Sequence, residues 1–269
     1  MKIYKSSVRK KFDSKIGLGE FLLKLTSLSL SQLRDVAIKG GVWVQRKGKG
    51  KILRIRSLNE VVDPDDLIEV HFDPNVLKLP EITSLECRYE DLNYGVWIKP
   101  SGVVSQGSKA SDHASLLRYV EKFKKKDVYL VHRLDRETSG LMIVAYHSKA
   151  AAVLSDLFQK NKITKAYEAV ILGVLPLGHK ETIQIPLDEK EAITHFEVVS
   201  SFNGQSTLLV TIETGRLHQI RRHLNLIGYP VMGDPKYGAR NKNKEGLKLM
   251  AKRLSFWDPW LMKEQVFHY

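Results

Sequence analysis

Five apolar runs rich in β-branched and aromatic residues occupy the middle of the chain: "YGVWIKP" (94–100), "GLMIVAY" (140–146), "AYEAVILGVL" (166–175), "ITHFEVVSSF" (193–202) and "STLLVTIET" (206–214). Runs of this length and makeup, bounded by polar and Gly-containing segments, read as strands. Only three helical patterns accompany them: "ASLLRYVEKFKK" (114–125), "KAAAVLSDLFQKN" (149–161) and "RLHQIRRHLNLIG" (216–228). Strands outnumber helices and do not alternate with them in order. That argues against a doubly wound parallel sheet and predicts an α+β domain built on a mixed, largely antiparallel sheet.

The first 75 residues read as a separate small unit. Leu18, Phe21, Leu22 and Leu25, then Leu30, Leu33, Val36 and Ala37, recur at helical spacing. Ser29 or Ser31 suits the cap of the second helix, and Gly40-Gly41 its stop. "VWVQRKGKGKILRIRS" then reads as two strands around a Lys/Gly turn, and "VVDPDDLIEVHF" as a turn and a closing strand. Two helices followed by a basic hairpin resemble the alpha-L RNA-binding motif of a small-subunit ribosomal protein, although Gln45-Arg46 stand where members often place an Asn. The resemblance covers roughly residues 13–72 and implies phosphate contacts from Arg34, Lys39, Arg46, Lys47, Lys49, Lys51, Arg54 and Arg56. The bland alternative is a solvated charged face. "DPNVLKLPEIT" with its two prolines marks a linker, so the expected division is a small α/β RNA-binding domain at 1–75, a linker at 76–84 and a catalytic domain at 85–269.

Lys and Arg exceed Asp and Glu by 43 to 30, a formal charge of +13, which favours a polyanionic partner through counterion release. No stretch of 18 or more apolar residues occurs, and "MKIYKSSVRKKFDSK" lacks the apolar centre of a signal peptide. A membrane is therefore not expected as partner. Cys87 is the only cysteine, which leaves no intrachain disulfide and no cysteine-based metal site. It reads as a small buried hydrophobe in a cytoplasmic protein.

Several familiar sites are excluded. Gly102 and Gly107 have P-loop separation, but Ser108-Lys109 reverses the required Lys-Ser order. His218 and His223 are five apart and do not share a helix face as a metal pair would. HExxH, GxSxG and EF-hand patterns are missing. No metal is expected, and a metal-dependent nuclease is the poorer rival because the acidic residues are scattered.

What remains is an ordered set of segments: "IKPSGVVSQG" (98–107), "HRLDRETSGLMIVA" (132–145), "KNKITKAYEAVILG" (160–173) and "ETGRLHQIRRHLNLIGYPVMGDPKYG" (213–238). In this order they resemble the RluA-like family of RNA pseudouridine synthases over roughly residues 87–260. The resemblance implies a sheet-based catalytic domain with a central cleft, and the isomerisation of uridine in RNA to its C-glycoside. It implies that Asp135 of "HRLD" is the essential aspartate, that Tyr167 of "KAYEAV" lies against the target uracil, and that Arg221 of "HQIR" pairs with the aspartate. Arg133 matches a residue that helps displace the target base. His132, Arg136, Arg216, His218 and Gln219 are further candidates for RNA contact, the last three equally for support of the Asp135 loop. Leu249-Met250-Ala251 depart from the Leu-His-Ala of relatives.

The chemistry fits those residue types. One glycosidic bond, N1 to C1′, is exchanged for another, C5 to C1′, with no net redox change, so no cofactor is required in principle. An ionised carboxylate is required, and a cation such as Arg221 keeps a half-buried one ionised. Tyr167 offers a flat wall and a phenol that can carry a proton. Taken singly, Asp135 beside Arg133 and Arg136 reads as a turn ion pair, Tyr167 as core filling and Arg221-Arg222 as a solvated helix face. Thr138-Ser139-Gly140 shape the turn into the next strand, and Asp234 reads as a turn-former. The resemblance, with the residue chemistry beside it, implies a monomeric pseudouridine synthase acting on rRNA in preference to tRNA. The rival from another class is a non-catalytic RNA-binding assembly factor on the same scaffold.

Overall fold

The computed structural model describes residues 4–8, 14–48, 50–239 and 241–269, the first stretch in its backbone only. The chain divides into two compact units, residues 1–83 with 106–119, and residues 84–105 with 120–269. No helix among the described residues is long and apolar enough to cross a membrane.

The first unit contains β1 (Tyr4–Val8), β2 (Ile16–Gly17), α1 (Leu18–Leu25), α2 (Leu30–Ile38), β3 (Val42–Gln45), β4 (Ile52–Ile55), β5 (Val61–Val62), β6 (Leu67–Phe72) and the single turn α3 (Pro74–Leu77). Its sheet runs β1-β6-β3-β4, antiparallel throughout. Most of the helical spacing read from the sequence is the buried stripe: Leu18, Phe21, Leu22, Leu33, Val36 and Ala37 pack with Val42, Val44, Ile68 and Val70, whereas Leu25 is partly buried and Leu30, at the start of α2, is exposed. Ser29, not Ser31, caps α2. Its Oγ accepts from Gln32 N at 3.2 Å and Gln32 Oε1 accepts from Ser29 N at 2.8 Å, a reciprocal box that satisfies two donors at the helix start.

The linker expectation needs amendment at its start, because Asp73 caps α3 and Leu77 is buried in the first unit's core. Residues 106–119, assigned by sequence to the catalytic domain, also cluster with the first unit. There Trp43 Nε1 donates to the Lys109 carbonyl at 2.8 Å, Arg54 donates to the Ser108 carbonyl at 2.6 Å, and Arg56 grips the Asp112 carboxylate at 2.7 and 3.1 Å. Such long-range side-chain bonds leave no trace in local sequence pattern.

The remaining elements are β7 (Cys87–Glu90), β8 (Tyr94–Lys99), α4 (Leu116–Lys124), β9 (Tyr129–Leu130), β10 (Ser139–Ala145), α5 (Ser148–Gln159), β11 (Thr164–Leu172), β12 (Lys180–Ile183), β13 (Thr194–Phe202), β14 (Gln205–Ile212), α6 (Gln219–Leu226), β15 (Leu249–Asp258) and β16 (Lys263–His268). The sheet of the second unit runs β12-β13-β14-β11-β15-β10-β8-β7, with β16 on β15 and β9 on β10. Among the described residues only β10 and β15 pair in parallel, over two residues, so the sheet is mixed and largely antiparallel. One face of β8 and β10, including Tyr94, Val96, Leu141 and Ile143, packs with Ala150 and Leu154 of α5. Cys87 is exposed, contrary to the expectation of a buried hydrophobe, because β7 is the last strand of the sheet.

One crossing of strands sets up the site. Gly140 of β10 pairs with Ala251 of β15, and Ala251 pairs with Tyr167 of β11. Gly140 has φ +117°, and a Cβ there would lie 2.3 Å from the Ala251 carbonyl oxygen, so only glycine fits. At Tyr167 the β11–β15 register shifts by one residue, a bulge that re-aims a side chain in the middle of the sheet. The loop carrying Asp135 and the strand carrying Tyr167 are thereby brought onto one central strand.

Candidate active site

A cavity of about 540 Å³ opens in the second unit, within the range of small-ligand pockets. Asp135, Tyr167, Arg221, His218, Arg133 and Lys165 are among the residues that line it. Residues 86 apart in sequence meet there: Arg221 Nη1 donates to Asp135 Oδ2 at 3.3 Å. Arg221 comes from α6, whose N-cap residue His218 has φ +53°, a left-handed conformation uncommon for a side-chain-bearing residue. The His218 Nε2 lies 3.9 Å from Asp135 Oδ2, and its Nδ1 is 3.1 Å from Tyr237 Oη. Burial holds the His218 imidazole below its ordinary value, against the pull of Asp135.

The side chain of Arg221 is 1% exposed and that of Asp135 is 24% exposed, so the carboxylate reaches the cavity while its cation stays inside the protein. The stronger partner of Arg221 is Asp234, which is fully buried and accepts from Nε at 2.7 Å and Nη2 at 2.9 Å. Burial works against the Arg221 charge, but the hydrogen bonds and charge of Asp234, with Asp135 behind them, push the guanidinium above its ordinary value. Asp234 answers in kind. Burial pushes it up, yet Arg221 and the amides of Lys236 and Tyr237 hold it below the usual carboxylate range. Glu137 adds a third carboxylate, 3.6 Å from Nη1.

Tyr167 is buried, and burial followed by the charge of Asp135 pushes its phenol well above the ordinary value. It keeps its proton at neutral pH. Lys99 of "IKPSG" is a participant that the sequence does not single out. Fully buried, its Nζ donates to the carbonyls of Pro100 (3.0 Å), Val103 (2.7 Å) and Arg136 (3.1 Å), tying two loops together beside Asp135. Burial lowers its pKa to about 8, with Glu137 and Asp135 opposing.

The residues proposed for RNA contact divide. Arg133 is exposed at the cavity, and Arg136 is exposed with its Nε donating to the Gly102 carbonyl at 3.0 Å. Arg216 is half-buried, its Nε donating to the Glu191 carbonyl at 2.8 Å. Of the two roles read for Gln219, its bonds fit support. Its Oε1 accepts from Thr214 and Arg216 N while its Nε2 donates to Ile193 O and Thr194 Oγ1, which uses the full capacity of an amide. It braces the start of α6 and has nothing left for RNA. His132 offers RNA no charge. Its Nε2 accepts from Ile143 N at 2.9 Å, its ring stacks on Phe158, and burial, aided by Lys165, pushes it down to about 3, so it is neutral at physiological pH.

In the first unit, Arg46 is spent on Glu60 and Asp66 at 2.9 and 2.8 Å, and Lys47 is paired with Asp65. Arg34 and Lys51 are exposed, and Lys49 lies outside the described residues.

Comparison with known proteins matches residues 93–226 to a family described as RNA pseudouridylate synthase. An uncharacterised RNA pseudouridine synthase of Mycoplasma genitalium is 30% identical over 93% of this chain and 87% of its own length. The ribosomal large subunit pseudouridine synthase D of Pseudomonas aeruginosa is 34% identical over 60% of this chain and 56% of its own. Among solved structures, human RNA pseudouridylate synthase domain containing 1 shares the fold at a TM-score of 0.60 and 22% identity, covering 71% of this chain and 85% of the human one.

Proposed function

The chain belongs to the RNA pseudouridylate synthase family and is an isomerase, and on that premise we propose that it converts uridines of structured ribosomal RNA to pseudouridine with Asp135 as the reacting carboxylate. The observation that carries the assignment of Asp135 is its position: the carboxylate faces the cavity and is paired from behind by the buried Arg221. In this reading Asp135 supports cleavage of the N1–C1′ bond. The base turns against the flat wall of Tyr167, C5 bonds to C1′, the C5 proton leaves and N1 gains one. A nucleotide inside a duplex cannot present these atoms, so the target uridine leaves its stack to enter the cavity, with Arg133 at the mouth to meet the RNA. The reaction is placed in the cytoplasm and on a monomer. Ribosomal RNA is preferred to transfer RNA because a relative bears a large-subunit name and because a separate small unit with a hairpin of basic sequence accompanies the catalytic one.

Loss of the C5 hydrogen gives the test. RNA carrying tritium at C5 of uracil is incubated with the protein, separately as large-subunit ribosomal RNA and as total tRNA. Release from ribosomal RNA and none from tRNA is the expected result. Release from tRNA alone would reverse the substrate assignment.

The role of the first unit is tested by salt. Arg34→Glu and Lys51→Glu are expected to weaken RNA binding and to flatten the dependence of log affinity on log salt by about 0.7–0.9 for each phosphate no longer neutralised. Lys47→Glu changes it less, since Asp65 already pairs with that ammonium. An unchanged slope in all three would remove this unit from the RNA interface.

A further inference from the structure

We propose that Lys165 is a further catalytic residue, its ammonium group meeting the negative charge that gathers on a carbonyl oxygen of uracil once the N1–C1′ bond breaks. This role rests on the reading of Asp135 as the reacting carboxylate and of Tyr167 as the wall against the base. Lys165 lines the same cavity as both. Ala166 pairs with Arg253 and Tyr167 with Ala251, so the extra residue of the bulge, Lys252, belongs to β15. The register of β11 against β14 runs unbroken, and β11 keeps its alternation. Lys165 and Tyr167 therefore stand on one face of the strand, about 7 Å apart at the backbone. A base lying on the Tyr167 ring has Lys165 beside its edge.

The surroundings of Lys165 point to an anionic ligand. Its Nζ lies 6.0 Å from the centre of the Phe158 ring, and among the described residues no carboxylate pairs with it. Burial lowers its pKa with no acid opposing, whereas at Lys99 both Glu137 and Asp135 oppose. The contrast puts Lys165 at the end of the cavity away from Asp135. A half-buried ammonium without a counter-ion costs the free protein stability. A base that turns anionic during the reaction supplies the missing charge at that moment and not before, which is the differential interaction that accelerates a chemical step. Asp135 works at C1′, so N1 points toward it and C4, across the ring, carries O4 toward Lys165. When the N1–C1′ bond breaks, its electron pair leaves with the base and the charge is shared by N1, O2 and O4. A half-turn about the line through N3 and C6 then exchanges N1 with C5 and O2 with O4. Lys165 meets a carbonyl oxygen in both orientations and holds the freed base while it turns. C5 bonds to C1′, its proton passes to solvent and N1 takes one up, which leaves a neutral ring.

The test compares wild type, Lys165→Met and Lys165→Arg by single-turnover tritium release from the C5-labelled RNA on which wild type acts, with affinity measured by filter binding at several salt concentrations. Lys165→Met should lower the maximal rate about 10²-fold, the scale for removing one donor from a developing anion, with affinity within about two-fold of wild type and the same salt slope. Lys165→Arg, which keeps the charge, should recover part of the loss. Because Lys165 has no counter-ion to orphan, Lys165→Met should unfold at or above the wild-type temperature. A wild-type maximal rate in Lys165→Met, or a variant that does not fold, would overturn the proposal. So would a retained rate with a salt slope smaller by about 0.7–0.9, the mark of a phosphate contact.

RNA made with 4-thiouridine in place of uridine gives a readout that a merely structural lysine would not move. Sulfur is the weaker acceptor, so wild type should slow about 10-fold on this RNA and Lys165→Met less than about two-fold, any effect on RNA folding being common to both proteins. Equal slowing of the two would sink the contact with the ring oxygen. Asp135→Asn run in parallel separates the two ideas: undiminished release there defeats the role of Asp135 itself, whereas loss there with a wild-type rate in Lys165→Met defeats only the role of Lys165.

Discussion

Asp135→Asn protein is expected to release tritium from C5-labelled RNA at least about 10³-fold more slowly than wild type, a loss of about 4 kcal/mol in transition-state stabilisation, while remaining folded. The size follows from the part assigned to the carboxylate. If it forms or stabilises the bond at the reacting centre, the amide can neither carry the charge nor act as a nucleophile of comparable strength. The fold should survive because Asp135 is the minor partner of its own cation. Arg221 retains its two bonds to Asp234, at 2.7 and 2.9 Å, so removing the Asp135 charge orphans no buried group. Asp135 is also partly solvated, at 24% exposure of its side chain. Thermal unfolding of the variant should therefore stay close to wild type, and RNA affinity should be retained. An equal rate in the two proteins would exclude Asp135 from the chemistry. A collapse of stability would instead mean that the ion pair serves the fold first.

The legible parts of this architecture are those carried by local physics. Apolar spacing locates α1 and α2 and the strands β8, β10, β11, β13 and β14, because burial of one face forces a period on the sequence, while the cap of α2 is narrowed only to Ser29 or Ser31. The pairing of Arg221 with Asp135 follows from the order of motifs, since nothing local links positions so far apart. The last two strands escape a reading of pattern. In β15 the residues Lys252 and Arg253 interrupt the apolar alternation at the bulge opposite Ala166 and Tyr167, where one strand carries an extra residue and the inside-outside pattern slips. Yet β15 is central, and it joins the Asp135 loop to the Tyr167 strand. Asp234 is obscured for another reason. An aspartate before Pro in a turn is sufficiently explained by the amides of Lys236 and Tyr237, which it does accept, so its grip on Arg221 has no separate signal. Gln219 and His132 resemble RNA contacts because their segments are polar and basic. Three-dimensional pairing uses up the amide of Gln219, and in His132 it occupies Nε2 while burial keeps the ring neutral.

Arg221→Met should produce the largest loss of stability, about 3–5 kcal/mol, because it leaves Asp234 charged and fully buried with only two backbone amides as partners. Unfolding in urea, followed by the fluorescence of Trp97, Trp257 and Trp260 in the second unit, reads this out. Two further outcomes identify the cause. Asp234→Asn added to Arg221→Met should recover a substantial part of the loss, since the double variant buries no unpaired charge. The dependence on pH should also change sign. In wild type, Arg221 and the two amides hold the Asp234 carboxyl below its unfolded value. The associated stability is present above the unfolded pKa and is lost as pH falls through the folded one. Without Arg221, burial, the largest influence on that carboxyl, is opposed only by the two amides and pushes it up, so the folded variant binds its proton before the unfolded chain does. Its stability then falls as pH rises through the unfolded and into the folded pKa, and the gap to wild type narrows in acid. A deficit that stayed constant with pH and was not relieved by Asp234→Asn would point to lost packing of the long Arg221 side chain. In that case the buried guanidinium would be a piece of core, and Asp135 would owe its orientation to the strand crossing at Gly140 and Ala251 instead.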